Sequence, residues 1–292
     1  MSERPGAPVR VAGLDARLLA ISRRGDARHQ VVAARLAGRD VVVKLYGRKR
    51  PWLPTLARAF GHRFLVAKTG LGARTRRDTE ERLLRLWRSH GFAVPELLDL
   101  ALPEPDPRPV LVMEHVNGPT VQSELRDPAV PLARLESGIA RFAAEWCRRH
   151  ALAERLREPG LVHAHPSFSH LLDRGGEWVT FDLEYAYTDP RRVDVLVSVE
   201  IAGFVASLLR AAGARADGLL RALVASYPDH ERLARAGAAA SVGRFPALDR
   251  LTEHLPRLRA RGPRKHRDSA FALSRALGAA GRERGEAEYS AR

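Results

Sequence analysis

Cysteine is almost absent from this 292-residue chain. Cys147 stands alone, which excludes an intramolecular disulfide framework, and it reads as a small buried hydrophobe. Lysine is nearly as scarce. Of 49 basic residues only Lys44, Lys49, Lys68 and Lys265 are lysine, so a lysine kept inside an apolar strand calls for a specific explanation. The longest apolar stretch, Val195 to Ala212, is interrupted by Glu200 and carries Arg210 near its end, so it reads as a buried helix and not a membrane span. The N-terminus, MSERPGAPVRVAGLDARLL, lacks the basic-then-apolar order of a secretory signal. A soluble or peripheral protein in a reducing, cytoplasmic setting is expected. Acidic residues are outnumbered 49 to 34, and the resulting formal charge of +15 favours nucleotides, nucleic acid or an anionic membrane surface as partners.

What is present suffices for one large core or two modest ones, since 45% of the residues are hydrophobic. Three β-like runs, ARLLAIS, HQVVAARL and VVVKLY, occupy the early chain, and the turn from Ala37 to Asp40 makes the last two a hairpin. Residues 23–28 between the first two runs contain a single glycine, Gly25, among arginines. Residues 51–72 place Leu56, Phe60 and Phe64 at fourfold spacing among cations. A helix packed over the sheet is the plainer reading of that stretch, and a helix on an anionic membrane surface is the alternative.

Arg74 to His90 predicts an amphipathic helix with Leu83, Leu84, Leu86 and Trp87 on its apolar face. Val110 to Met113 reads as a strand. Helical segments follow through residues 120–157, with Leu132, Leu135, Ile139, Phe142 and Trp146 forming an apolar stripe. The stretch LVHAHPSFSHLLDRGGEWVTFDLEYAYTD, Leu161 to Asp189, carries His163, His165 and His170, a Gly175-Gly176 turn, then Asp182 and Glu184. A long apolar helix follows from Val193. The run from Arg257 to Arg267 reads as a solvated face or a polyanion contact, and no obligate nucleic-acid partner is inferred from it.

Taken in order, these motifs resemble the protein-kinase-like superfamily, most closely the atypical bacterial kinases of the lipopolysaccharide-kinase and aminoglycoside-phosphotransferase type. Val41-Val42-Val43-Lys44 by itself reads as a strand-end lysine with a solvated tip; in that company it resembles the strand whose lysine reaches the nucleotide phosphates. The resemblance implies an α+β, two-lobed fold. Residues 1–113 would form a small antiparallel-sheet lobe with one main helix, 114–119 a hinge, and 120–262 a mostly helical lobe, with 263–292 as a basic and polar tail. It also implies ATP with Mg or Mn as cofactors. Lys44 and Glu80, with Glu81 as second choice, would form the ion pair at the phosphates. Gly25 would lie in the phosphate loop, and Glu114 and Val116 would carry the hinge contacts to adenine. His163 and His165 would stand in the catalytic loop. Asp182 and Glu184 would hold the metal, and Asp194 would anchor the loop backbone.

The family's loop commonly reads His-Gly-Asp, four residues, then Asn. Here the spacing is kept, but His165 and His170 replace the Asp and the Asn. An imidazole at 165 titrates near neutrality and suits a general base. Magnesium prefers oxygen ligands, so His170 disfavours it relative to manganese or zinc. Three readings remain open. The chain is a kinase-fold ATP-binding protein with transfer weakened or lost, a working phosphotransferase on a lipid or sugar hydroxyl with His165 as base, or a transition-metal site built from His163, His165, His170 and Asp182.

Overall fold

A computed structural model describes residues 6–22, 29–47, 68–70, 72–242 and 271–279, with the side chains at 20–22 and 239–242 excepted. Gly25 and its segment, residues 51–67 of the aromatic and basic stretch, the basic run 257–267 and the final dozen residues lie outside the described residues. The fold is α+β, with an antiparallel sheet in the N-terminal part and helices in the C-terminal part. Two compact units divide the chain: Met1–Asn117 with Val179–Thr188, and Gly118–Trp178 with Asp189–Arg292.

The first unit is a five-stranded antiparallel sheet in simple sequence order, β1 (Pro8–Val11), β2 (Leu14–Ser22), β3 (His29–Leu36), β4 (Arg39–Leu45) and β5 (Val110–Glu114). The short Pro-Val-Arg-Val sequence of β1 does not predict a strand. It exists because Ala12 and Gly13 both take positive φ and fold it back onto β2. Period-two alternation then sorts the side chains. Val41, Val43 and Leu45 face a core with Val32, Ala34, Leu18, Leu14, Val11 and Val112, so Lys44 points to the opposite face. There it stands in register between Val31 and Leu111.

Helix α1 (Ala73–Ser89) buries Ala73, Arg76, Thr79, Glu80, Leu83, Leu84 and Trp87, a stripe at helical spacing. Its C-terminal half packs with apolar groups, Trp87 meeting Phe92 edge-on. Its N-terminal half buries a cation and an anion instead. Val179–Thr188 groups with this sheet, although the metal motif 181–184 was expected among the C-terminal helices. The reason is local: Thr180 N–H donates to Ala93 O at 2.9 Å, and Thr69 N–H to Ala186 O at 2.9 Å.

The second unit holds α2 (Val121–Arg126), capped by the Thr120 hydroxyl, and α3 (Leu132–Leu156). It also holds α4 (Val193–Ala212), α5 (Ala216–Ser226) and α6 (His230–Val242), while residues 271–279 are helical. Strands β6 (Leu171–Arg174) and β7 (Glu177–Thr180) pair as a hairpin. Leu132, expected on the apolar stripe of α3, is 42% exposed, because it lies in the helix's first turn beyond the packed face. The stripe proper is Leu135, Ile139, Ala143 and Trp146, and Cys147 is buried beside it. The helical segment Pro190–Ser226 contains an 18-residue window apolar enough to cross a membrane by length and composition, but 72% of that window is buried inside the protein. Gly118 is required where it stands, since a Cβ there would lie 1.9 Å from the Asp173 carbonyl oxygen.

Candidate functional site

The lysine on β4 is the centre of a buried ionic cluster in the first unit. Lys44 Nζ donates to Glu80 Oε2 at 2.6 Å and to Asp182 Oδ1 at 2.7 Å. Tyr46, just past the end of β4, donates its hydroxyl to Glu80 Oε2 as well. Burial alone would depress the lysine's pKa, but the carboxylates of Asp182, Glu80 and Glu184 outweigh it and hold Lys44 above the ordinary lysine value. It is a permanent cation. For Glu80 the balance runs the other way: burial outweighs Lys44 and raises its pKa above the usual glutamate value. Glu81, the second choice, lies instead between Arg77 and Arg85 on the helix exterior.

Asp182 takes a left-handed backbone conformation, φ +63°, which few non-glycine residues adopt and which aspartate tolerates. Its side chain is 33% exposed, against 2% for Glu80 and 12% for Glu184. One carboxylate oxygen from each of Glu80, Asp182 and Glu184 lies within 4.8 Å of the other two. Among the described residues no other set of three or more His, Cys, Asp or Glu side chains converges in this way. Glu184 accepts from Arg76 Nη1 at 2.9 Å, a buried arginine that sequence reasoning did not single out.

The expected hinge residues behave differently from each other. Glu114 ends β5, and its carboxylate accepts from Glu96 N–H at 3.2 Å while its own N–H donates to Glu96 O at 2.8 Å. Val116 is buried. Their neighbours His115 and Asn117 line a groove of about 530 Å³ with Asp15, Arg17, Ala33, Arg35 and Asp40.

In the second unit the three loop histidines divide their work. His165 N–H donates to His163 Nδ1 at 3.0 Å, and His170 Nδ1 donates to the His165 carbonyl at 2.8 Å. The His163 and His170 rings stack with centroids 5.7 Å apart. Burial, then the neighbouring His170, push the His163 pKa down to about 3, so this ring is a neutral backbone acceptor. Two imidazoles therefore hold the peptide groups of His165, whose residue is exposed. Among the described residues the three loop histidines do not form a converging set of ligand atoms of the kind a histidine metal site requires.

The loop backbone is anchored by Glu200, and not by Asp194 as expected. Asp194 is exposed in the first turn of α4. Glu200, wholly buried, accepts from His163 N–H at 2.7 Å and Trp146 Nε1 at 2.9 Å, and it pairs with Arg149, which also bonds the Leu161 carbonyl. Burial would raise Glu200, but the charge and hydrogen bonds of Arg149, with His150 Nε2 3.5 Å away, outweigh it and hold the carboxyl well below the ordinary glutamate range. One turn further along α4, a Cβ at Gly203 would lie 2.3 Å from Pro166 Cγ. A further turn on, Ser207 Oγ accepts from Phe168 N–H at 3.1 Å. A lone acid inside an apolar run was the signal, because a buried carboxylate needs partners.

No family model matches the chain, and no curated protein matches it. Among solved structures it is similar to the Rio2 kinase–ADP/Mg2+–phosphoaspartate complex from Chaetomium thermophilum, at 16% identity and a TM-score of 0.37 over 76% of this chain and 72% of that one. It is also similar to the Rio2 kinase from the same organism, at 16% identity and a TM-score of 0.33 over 64% and 55%. Likeness at that level carries no argument about chemistry; the chemistry of this site lies in its own side chains.

Proposed function

We propose that this chain is a nucleotide-binding protein of the kinase-like type, taking ATP with a divalent cation at the Lys44, Glu80 and Asp182 cluster of the first unit. The observation that carries the reading is the buried lysine bonded to both acids, 2.6 Å from Glu80 and 2.7 Å from Asp182, on the face of the sheet turned away from its core. A strand-end lysine with a solvated tip does not explain a side chain only 6% exposed. Burying three charges is costly unless each is paired, and such a cost is retained where the charges have work to do.

The donor set fits the cation. Of the three converging acids, the exposed Asp182 would offer a hard carboxylate oxygen of the kind Mg2+ and Mn2+ take, and a bound ion would supply neutralisation of charge on the phosphate oxygens. The chain's own residues do the rest. Glu80 and the Tyr46 hydroxyl fix the ammonium, whose raised pKa keeps it a point charge for phosphate at any physiological pH. Asp182, the most exposed acid of the three, is presented by its left-handed backbone.

Transfer is weakened relative to an Asp-based loop because His165 stands where that base belongs. A second reading, a working phosphotransferase on a lipid or sugar hydroxyl with His165 as base, is favoured by one observation. His163 and His170 spend their Nδ1 atoms on the His165 peptide groups, so the loop is built around that residue. The discriminating experiment is a thermal-shift assay with a non-hydrolysable ATP analogue, alone and with Mg2+, Mn2+ or Zn2+, followed by a phosphate-transfer assay on wild type and His165→Ala. A Mg2+-dependent nucleotide shift abolished by Lys44→Met and Asp182→Asn is expected. No shift in wild type sinks the nucleotide reading; transfer lost in His165→Ala promotes the second reading over the first.

A further inference from the structure

Helix α1 grips the metal motif at two points, and the second of these belongs to no part of the kinase-like pattern. Glu80 reaches Asp182 through Lys44. Arg76, one turn earlier on the same face, reaches Glu184 directly: Nη1 donates to Glu184 Oε2 at 2.9 Å and Nη2 to Gly47 O at 2.9 Å. The guanidinium carbon also lies 5.6 Å from the centre of the Tyr46 ring. Arg76 is 1% exposed, and its Nε is buried with no hydrogen-bond partner. A solvent-excluded arginine with one donor left unsatisfied is expensive to keep for packing alone. Its fixed, planar charge is suited to standing where a cation is required permanently.

The geometry points to Arg76 as a positioning residue that acts as the internal counter-ion of Glu184, withdrawing that carboxylate from metal coordination and leaving a single-ion site on Asp182. The inference rests on the nucleotide-and-metal reading of this cluster. Of the three acids that converge, Glu80 is held by Lys44 and Tyr46 and Glu184 by Arg76; Asp182 shares Lys44 through Oδ1, but at 33% side-chain exposure it is the acid best placed for an ion from solvent.

Mn2+ binding to the full chain without nucleotide, followed by electron paramagnetic resonance, tests this because a purely structural ion pair would leave the ion count unchanged. Wild type is expected to bind one ion, and Asp182→Asn to lose it. Glu184→Gln should change the affinity by no more than about twofold, whereas Arg76→Met, by releasing Glu184, should tighten it on the order of tenfold or add a second ion. The double variant Arg76→Met with Glu184→Gln should return to wild-type binding. Glu184→Gln weakening Mn2+ as much as Asp182→Asn would overturn the inference, and so would Arg76→Met leaving both affinity and count unchanged. If Arg76→Met does not fold, the Glu184→Gln result decides alone. Wild-type protein that binds no Mn2+, or binding indifferent to Asp182→Asn, takes down the nucleotide-site reading itself and this inference with it.

Discussion

Each unit is built around a buried carboxylate and a buried cation, and the two networks differ in how they end. Around Glu200 every partner is enclosed: Arg149 is 5% exposed and His150 and Glu200 are fully buried. The bonds of that network run to Trp146, to Tyr227, to backbone and to each other. Around Lys44 the network opens outward through Asp182, which is one-third exposed and held in left-handed backbone. Similar ingredients thus do different work. A closed network fixes backbone; an open one offers a charged group to something arriving from solvent.

Removing the closed network's centre should give the largest effect. Glu200→Ala leaves Arg149 buried without its carboxylate and should cost about 3–5 kcal/mol of stability by urea denaturation. A cost below that of an exposed pair would mean the network is less closed than its geometry indicates. Gly203→Ala should cost about 1–3 kcal/mol, because the rigid Pro166 ring cannot move aside for the new methyl group. The same variant should reduce any His165-dependent transfer by shifting the loop.

Acid should also separate the networks. His163 has its pKa depressed from 6.5 to about 3, so its contribution is fully present above pH 6.5 and is lost as the pH falls below that value. The unfolded chain then takes up a proton that the folded chain refuses. The expected slope is about 1.4 kcal/mol per pH unit below 6.5 for this one group, and His163→Asn should remove it. Glu80 has the opposite sign. Its raised pKa gives stability that is present below the ordinary glutamate value of 4.5 and is lost as the pH rises through the higher folded value. Urea denaturation between pH 4 and 7, comparing His163→Asn with Glu80→Gln, reads both signs. The smallest effect on stability is expected at the open end: Asp182→Asn should change it by under about 1 kcal/mol, since asparagine accepts the left-handed backbone and the acid is partly solvated. Yet it should abolish the metal-dependent nucleotide shift.

Much of the sheet and of α1 is legible in the sequence because their patterns are strict. HQVVAARL alternates, VVVKLY places one lysine among β-branched residues, and Leu83, Leu84 and Trp87 recur at helical spacing. Glu80 is legible by its distance from that stripe. Arg76 is not, because on an arginine-rich chain one more arginine carries no signal until its position, four residues before Glu80, is weighed with the burial of that face. Asp194 stands out as the first acid of its helix, where an ordinary exposed acid also belongs. Glu200 reads in the sequence only as an interruption of an apolar run. The better rule is physical: charge in the middle of a buried helix must have partners, so it marks a network before it marks a break. β1 escapes because two positive-φ residues and backbone pairing create it, and neither shows in a four-residue hydropathy pattern.

Glu200, Gly203 and Ser207 lie along one side of α4 and meet successive points of the histidine loop: a peptide N–H, a proline ring and another peptide N–H. The helix therefore acts as a mould, and the loop's side chains are inserts cast into it. Reagents and replacements can be exchanged at position 165 without recasting the mould. His165→Asp would place a carboxylate in a seat whose outline is already set from beneath, which makes this position a tractable place to exchange side chains.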